Sequence, residues 1–220
     1  MTDHVINNTD TRETSWQQVV ENDAAHARTG LRVLLTTLSS LFFLFIVAFM
    51  SRSQFTDYQS LTAAWQPLAK PWALWVNSVL LAFASIAFQW ARRSARKNQS
   101  NQSIEGFIIA GVFSFAFLVG QLSVWQQLAS MGYLIAGNPA NSFFYLLTGL
   151  HALHLFFGLV GWVITCRGIW RAIPFKRTRV RIELCATYWH FLLAVWLVLF
   201  ALLTSPPETF EAFASLCGLR

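Results

Sequence analysis

Five apolar stretches mark the chain, at about residues 31–50, 73–91, 105–128, 143–166 and 184–204, with polar segments before, between and after them. Each is close to the ~20 residues that an α-helix needs to cross ~30 Å of hydrocarbon. In lipid a spanning segment must satisfy its own backbone hydrogen bonds. Helices do this alone, whereas strands need a closed barrel. These runs are too long and too uniformly apolar for barrel strands, which alternate over about ten residues. The pattern predicts an all-α, polytopic membrane bundle of five transmembrane helices spanning residues 30–205. Residues 1–29 read as a polar, largely flexible tail with a surface helix around 15–27, and residues 206–220 as a second tail.

Composition sharpens this picture. Hydrophobic residues make up 55% of the 220, and charged residues only 12%. A soluble domain carries roughly twice that charge, about a quarter of its residues. The net charge of +6 does not point to nucleic acid, because the basic residues fall between apolar runs and follow the membrane topology rule. Arg92, Arg93, Arg96 and Lys97 follow the second run, and Arg167, Arg171, Lys176, Arg177, Arg179 and Arg181 follow the fourth. Arg12, Arg28 and Arg32 precede or open the first, so thirteen of sixteen basic residues share one side, against Arg52, Lys70 and Arg220 on the other. This places the amino terminus in the cytoplasm and the carboxyl terminus outside. Between the third and fourth runs, Gly132, Gly137, Asn138 and Pro139 without a charge read as a tight external turn. The first run follows a long acidic and basic segment, unlike a cleaved signal peptide. Cys166, Cys185 and Cys217 have neither metal nor disulfide-framework spacing.

The fourth run carries the most informative stripe. Thr148, His151, Gly158, Gly161 and Thr165 recur at helical spacings, with His154 between them. In lipid, small residues let helices approach and polar ones bond across the contact, so a packing seam accounts for such a face. The fifth run has Glu183, Thr187, His190 and Ala194, and the third adds Gly111, Ser114 and Gln121. Together they suggest a shared polar seam inside the bundle or a groove between helices.

A haem would need two histidines at similar depth on different helices. Counted at ~1.5 Å per residue, His154 lies roughly 18 Å and His190 ~20 Å from the outer face. Depth alone permits the pair, so a dihaem membrane cytochrome is one reading. Two haems need four ligands, however, and the membrane holds three histidines, two of them on one turn. No carboxylate accompanies His154 for a non-haem metal. Glu105 and Glu183 sit at helix starts, where a helix amino terminus favours an anion. No Asp, Glu or Lys falls mid-membrane, which argues against an ion pump or coupled transporter. Nothing has the spacing of a nucleophile–base pair, a phosphate loop or a zinc-protease helix.

The last two runs are more specific. Phe143, Phe144, Tyr145, Leu146, Leu147, Thr148, Gly149, Leu150, His151, Ala152, Leu153 and His154, followed by Gly158, resemble the Thr-Gly-Phe-His-Gly-x-His signature of cytochrome oxidase subunit III. Glu183, then Tyr188, Trp189, His190 and Phe191, then Val195 and Trp196, resemble that family's final helix. Asn77, Trp90, Ala91 and Gln121 also fall where the family has such residues. The likeness covers about residues 31–204, and bacterial members often have five helices.

The resemblance implies an accessory, non-catalytic subunit of a haem–copper terminal oxidase in aerobic respiration, multi-pass in the bacterial inner membrane. It implies no cofactor in this chain, with haem and copper in subunit I. The implied partners are subunit I as the main contact, other oxidase subunits and membrane phospholipids. The candidate seam or lipid-contact residues are Asn77, Gln121, Thr148, His151, His154, Gly158, Glu183, His190 and Trp196. Three acids usual in the family are missing. Ser39, Ser40 and Leu41 stand in place of one, Val124 of another and Leu193 of the third. A direct protonatable role is thereby removed, leaving packing, lipid retention and the shaping of apolar space. The same losses suit an alternative, a subunit-III-like accessory protein of nitric oxide reductase.

Overall fold

A computed structural model describes residues 3–53, 72–133, 139–171 and 175–204, with side chains over 21–51, 72–133, 141–171 and 175–204. These residues form five α-helices: α1 (Asp3–Ser53), α2 (Trp72–Arg96), α3 (Ser100–Ser130), α4 (Pro139–Trp170) and α5 (Phe175–Thr204). All five are long and apolar enough to cross a membrane, and no strand occurs among the described residues. The predicted fold class is the one observed.

The first helix differs from its expectation. It begins at Asp3 rather than near Leu31, so the polar segment read as flexible is continuous with the first span. Residues 3–29 contain neither Pro nor Gly. A helix nucleated by the apolar span therefore extends into them at the low cost of propagation. The second tail, the turn residues Gly137 and Asn138, and Cys217 lie outside the described residues.

Helices α2 and α3 form a close hairpin through Lys97, Asn98 and Gln99. Asn98 adopts φ 58°, and the Gln99 amide donates to the Ser94 carbonyl at 3.0 Å. Asn tolerates this left-handed conformation better than most residues. The α2–α3 contact is the most extensive; α5 packs on α2 and α4, and α3 meets α4 less closely. One continuous core of Leu, Phe, Ala and Trp joins α2 to α5, including Leu81, Phe88, Phe117, Leu155, Trp189 and Trp196.

Helix α1 lies at the side of this four-helix body. It touches α5 and, less, α4, through Phe42 with Leu147 and Leu199, and through Phe49 with Phe143. Its hydroxyls satisfy themselves locally: Thr36, Thr37, Ser39 and Ser40 each donate to the carbonyl four residues earlier, at 2.8–3.1 Å. Ser39 and Ser40 are thus exposed without an unpaired donor. Alternation of the helices puts the ends of α2 and α4 and the starts of α3 and α5 at one end of the bundle, where the basic residues gather.

Candidate functional site

Tryptophans fasten the helices to one another. Trp196 of α5 donates from Nε1 to Ser78 Oγ of α2 at 2.9 Å, and Trp189 of α5 donates to Ser114 Oγ of α3 at 2.6 Å. Trp125 of α3 donates to Thr148 Oγ1 of α4 at 3.2 Å, and Trp162 of α4 donates to the Phe107 carbonyl of α3 at 2.8 Å. An indole N–H is only a donor, whereas a hydroxyl can give and accept. Ser78, Ser114 and Thr148 each give their proton to the carbonyl four residues earlier, at 2.8, 2.8 and 2.6 Å. Each is therefore left with a lone pair for an indole on the next helix. Trp189 and Trp196 are buried and Trp125 and Trp162 half-buried, and each indole N–H is satisfied by a neighbouring helix.

Asn77 and Gln121 form a further link, with Asn77 Nδ2 donating to Gln121 Oε1 at 3.2 Å between α2 and α3. Both are buried. Gly158 serves close approach: a Cβ there would stand 2.8 Å from Tyr188 and 2.9 Å from Trp189, so only glycine lets α4 lie this near to α5. Tyr188 uses that proximity to donate its hydroxyl to the His154 carbonyl at 2.9 Å.

The three histidines have separate surroundings. His151 is fully buried, and neither ring nitrogen has a hydrogen-bond partner among the described residues. Its ring lies against Trp196 at 5.2 Å and meets Phe117 edge-on at 5.9 Å. His154 donates from Nδ1 to the Leu150 carbonyl of its own helix at 2.7 Å and packs on Phe42 of α1 at 5.5 Å. His190 faces α2: Ser85 Oγ lies 2.5 Å from Nδ1, and Gln89 Oε1 lies 3.1 Å from Nε2. A neutral ring protonated on Nε2 satisfies both contacts, accepting from Ser85 and donating to Gln89.

A haem pair of His154 and His190 would need both rings to face one space. Here one ring is tied to its own helix and α1, and the other to α2. The donor set does not fit a haem between them. Among the described residues no group of three His, Cys, Asp or Glu is placed to hold a metal ion.

At the basic end, Glu183 of α5 gathers three arginines. Arg96 of α2 lies 3.1 Å away, Arg28 of α1 3.3 Å and Arg179, one turn earlier on α5, 3.7 Å. One carboxylate thus joins three helices at the end of the bundle. Thr187 and Ala194 of the same stripe are exposed, Thr187 donating only to the Glu183 carbonyl. The stripe expected to match α4 therefore turns instead toward α2 and α1. On α4, Thr165 donates to the Gly161 carbonyl at 2.9 Å, and nothing lies within 4 Å of where a Cβ at Gly161 would be.

Sequence reasoning did not single out Ser78, Ser85, Gln89, Trp125 or Trp162. Their only signal was polar or indole character inside apolar runs. Val124 and Leu193, at two of the missing-acid positions, pack with the core.

The comparisons with known proteins agree with the sequence motifs. The family model described as cytochrome c oxidase subunit III matches residues 11–204. Cytochrome c oxidase subunit 3 of Synechocystis sp. is 30% identical over 181 residues, covering 79% of this chain and 72% of that protein. The subunit of the same name from Thermostichus vulcanus is 27% identical over 191 residues, covering 82% of this chain and 90% of that protein. Cytochrome bo(3) ubiquinol oxidase subunit 3 of Pseudomonas aeruginosa is 26% identical over 125 residues, covering 57% of this chain and 60% of that protein. This chain belongs to the cytochrome c oxidase subunit III family.

Proposed function

We propose that the chain is the accessory subunit of a haem–copper terminal oxidase, packed on the redox-bearing subunit I in a bacterial cytoplasmic membrane. The observation that carries this reading is the family match across nearly all the described helices. Haem and copper reside in subunit I, and this chain contributes a rigid apolar body beside it. The indole-to-hydroxyl bonds and the Asn77–Gln121 bond hold α2 to α5 in one arrangement. Asn77, Gln121, Thr148, His151, Gly158 and Trp196 are seam residues in this reading. Glu183 anchors α1, His154 joins the body to α1, and His190 ties α5 to α2 within it.

The membrane orientation follows from charge: the end carrying Glu183 and its arginines faces the cytoplasm. Single cysteines at Gln99→Cys and Lys176→Cys, both exposed at that end, are expected to resist an impermeant thiol reagent in intact cells and react after lysis. Labelling in intact cells would invert the topology.

Deletion of the chain tests the function. The expected oxidase has normal haem spectra and near-normal initial oxygen consumption, and it inactivates faster during turnover or assembles poorly. The missing acids favour one other partner, nitric oxide reductase. A deletion strain that keeps a stable oxidase and loses nitric oxide reduction would assign the chain to that enzyme.

A further inference from the structure

We propose that Gly30 is a hinge in α1, about which the part of the helix before it swings as a latched arm over the start of α5. Glycine inside an exposed helix is unfavourable relative to alanine, because it frees the unfolded backbone and leaves the folded backbone open to water. Several glycines of the bundle have a packing reason. A Cβ at Gly106, Gly111, Gly120 or Gly158 would stand 3.1 Å or less from a neighbouring helix. Gly30 has no such reason: nothing lies within 4 Å of where its Cβ would be. Gly161 has the same open space, but it lies inside the apolar part of α4, where no water competes for its backbone bonds. Gly30 instead is exposed and stands directly before Leu31, where the first apolar run begins. Hinges are a few residues, often small, that absorb a change in φ and ψ.

The two sides of Gly30 are held unequally. Beyond it, Leu38, Phe42 and Phe49 are buried, and the two rings pack on α4 and α5. Before it, Ala24 is the one buried side chain between residues 21 and 29. Ala24 and Ala27 share with Val180 and Leu184 of α5 an unfilled space of about 210 Å³, which Arg177 and Arg181 also line. Two methyl groups beside a gap make few dispersion contacts. The arm's one ion pair to the body among the described residues is Arg28 with Glu183, at 3.3 Å and with the Arg28 side chain 53% exposed. A pair this exposed contributes little and weakens as salt rises. Glu183 keeps Arg96 and Arg179 when Arg28 leaves, so release strands no carboxylate.

The arm moves as one piece. From Asp3 to Thr29 it is unbroken helix without Pro or Gly, ~40 Å long at ~1.5 Å per residue. A bend of ~20° at Gly30, the onset of a sharp helix kink, carries the far end roughly 14 Å. The same motion uncovers Val180 and Leu184 at the start of α5. Arg28 on Glu183 is the latch: it holds the arm down at low salt and releases it when screening weakens the pair.

The test uses the full-length chain in its purified complex, in lipid nanodiscs, with spin labels carried on p-acetylphenylalanine at positions 22 and 97, where Asn22 and Lys97 are exposed. Pulsed electron spin resonance reads the distances between arm and body. The parent chain is expected to show one population at low salt and a second at ~1 M salt, where the screening length falls to ~3 Å. Glu183→Gln is expected to show the second population already at low salt. Adding Gly30→Ala to Glu183→Gln is expected to lower the ratio of the second population to the first about five-fold, the ratio set by the Gly–Ala difference in helix propensity. Nothing crowds an alanine at that position, so the double variant keeps the fold of the single one. One unchanged distribution in Glu183→Gln at both salt concentrations overturns the swing. An unchanged ratio in the double variant overturns the hinge at Gly30.

Discussion

Replacing Ser114 with alanine removes one oxygen atom and leaves a buried donor without an acceptor. Trp189 is 1% exposed, its indole packed on Phe88 at 4.5 Å, so its Nε1–H has no route to water. An unsatisfied buried donor costs about 1–3 kcal/mol in soluble proteins, whereas interhelical hydrogen bonds in membranes average ~0.6 and reach ~1.7 kcal/mol. The lower average arises because polar groups in many membrane proteins find other partners. Here the 2.6 Å bond lies inside the α3–α5 contact, so Ser114→Ala is expected near the upper end, about 1–2 kcal/mol. Trp189→Phe loses the same bond and part of the ring packing, about 2–3 kcal/mol in all. Once either partner is gone, removing the other no longer breaks the bond. The double variant should therefore be less destabilised than the sum of the singles by about 1 kcal/mol. Unfolding in mixed micelles with increasing dodecyl sulfate, followed by circular dichroism, gives the four free energies. Ser123→Ala is the control, because its hydroxyl is exposed and bonds only the Val119 carbonyl of its own helix. Additivity within about 0.3 kcal/mol would refute the claim that indole–hydroxyl bonds hold these helices together.

Glu183→Gln removes the charge shared by Arg28, Arg96 and Arg179, whose side chains are 53%, 52% and 40% exposed; solvent screening keeps the global loss below about 1 kcal/mol. The local effect is larger, and amide exchange at residues 24–30 of α1 should rise several-fold, with the wild type approaching the variant at high salt; unchanged exchange would show that Glu183 does not anchor α1. His151→Leu removes two buried nitrogens that have no partners among the described residues, so in the same unfolding assay stability should be unchanged or higher. A loss above about 2 kcal/mol would reveal a partner, such as a buried water, on that ring.

The architecture was legible because apolar run length reports directly on membrane crossing. The start of α1 was not: polar residues 3–29 carry no span signal, and their helicity follows from continuity with the apolar helix behind them. Within the bundle, spacing showed that Thr148 and His151 share a face, and both are buried. Spacing could not show how each helix is rotated against the others. His190 was therefore grouped with the α4 stripe, although it bonds Ser85 and Gln89 of α2. Likewise Trp196 stood out from its motif, while its acceptor Ser78 lies 118 residues away and has no local mark. Pairing between helices is a long-range property, and a single sequence contains only the two half-contacts.

The most direct test of the accessory assignment is purification of the tagged chain from native membranes, followed by a reduced-minus-oxidised spectrum. The expected preparation contains the oxidase core and shows its haem bands in fixed ratio to this chain. Those bands should leave with the core when detergent strips the complex apart. A preparation without a haem protein, or haem bands that stay with the isolated chain, would contradict the account.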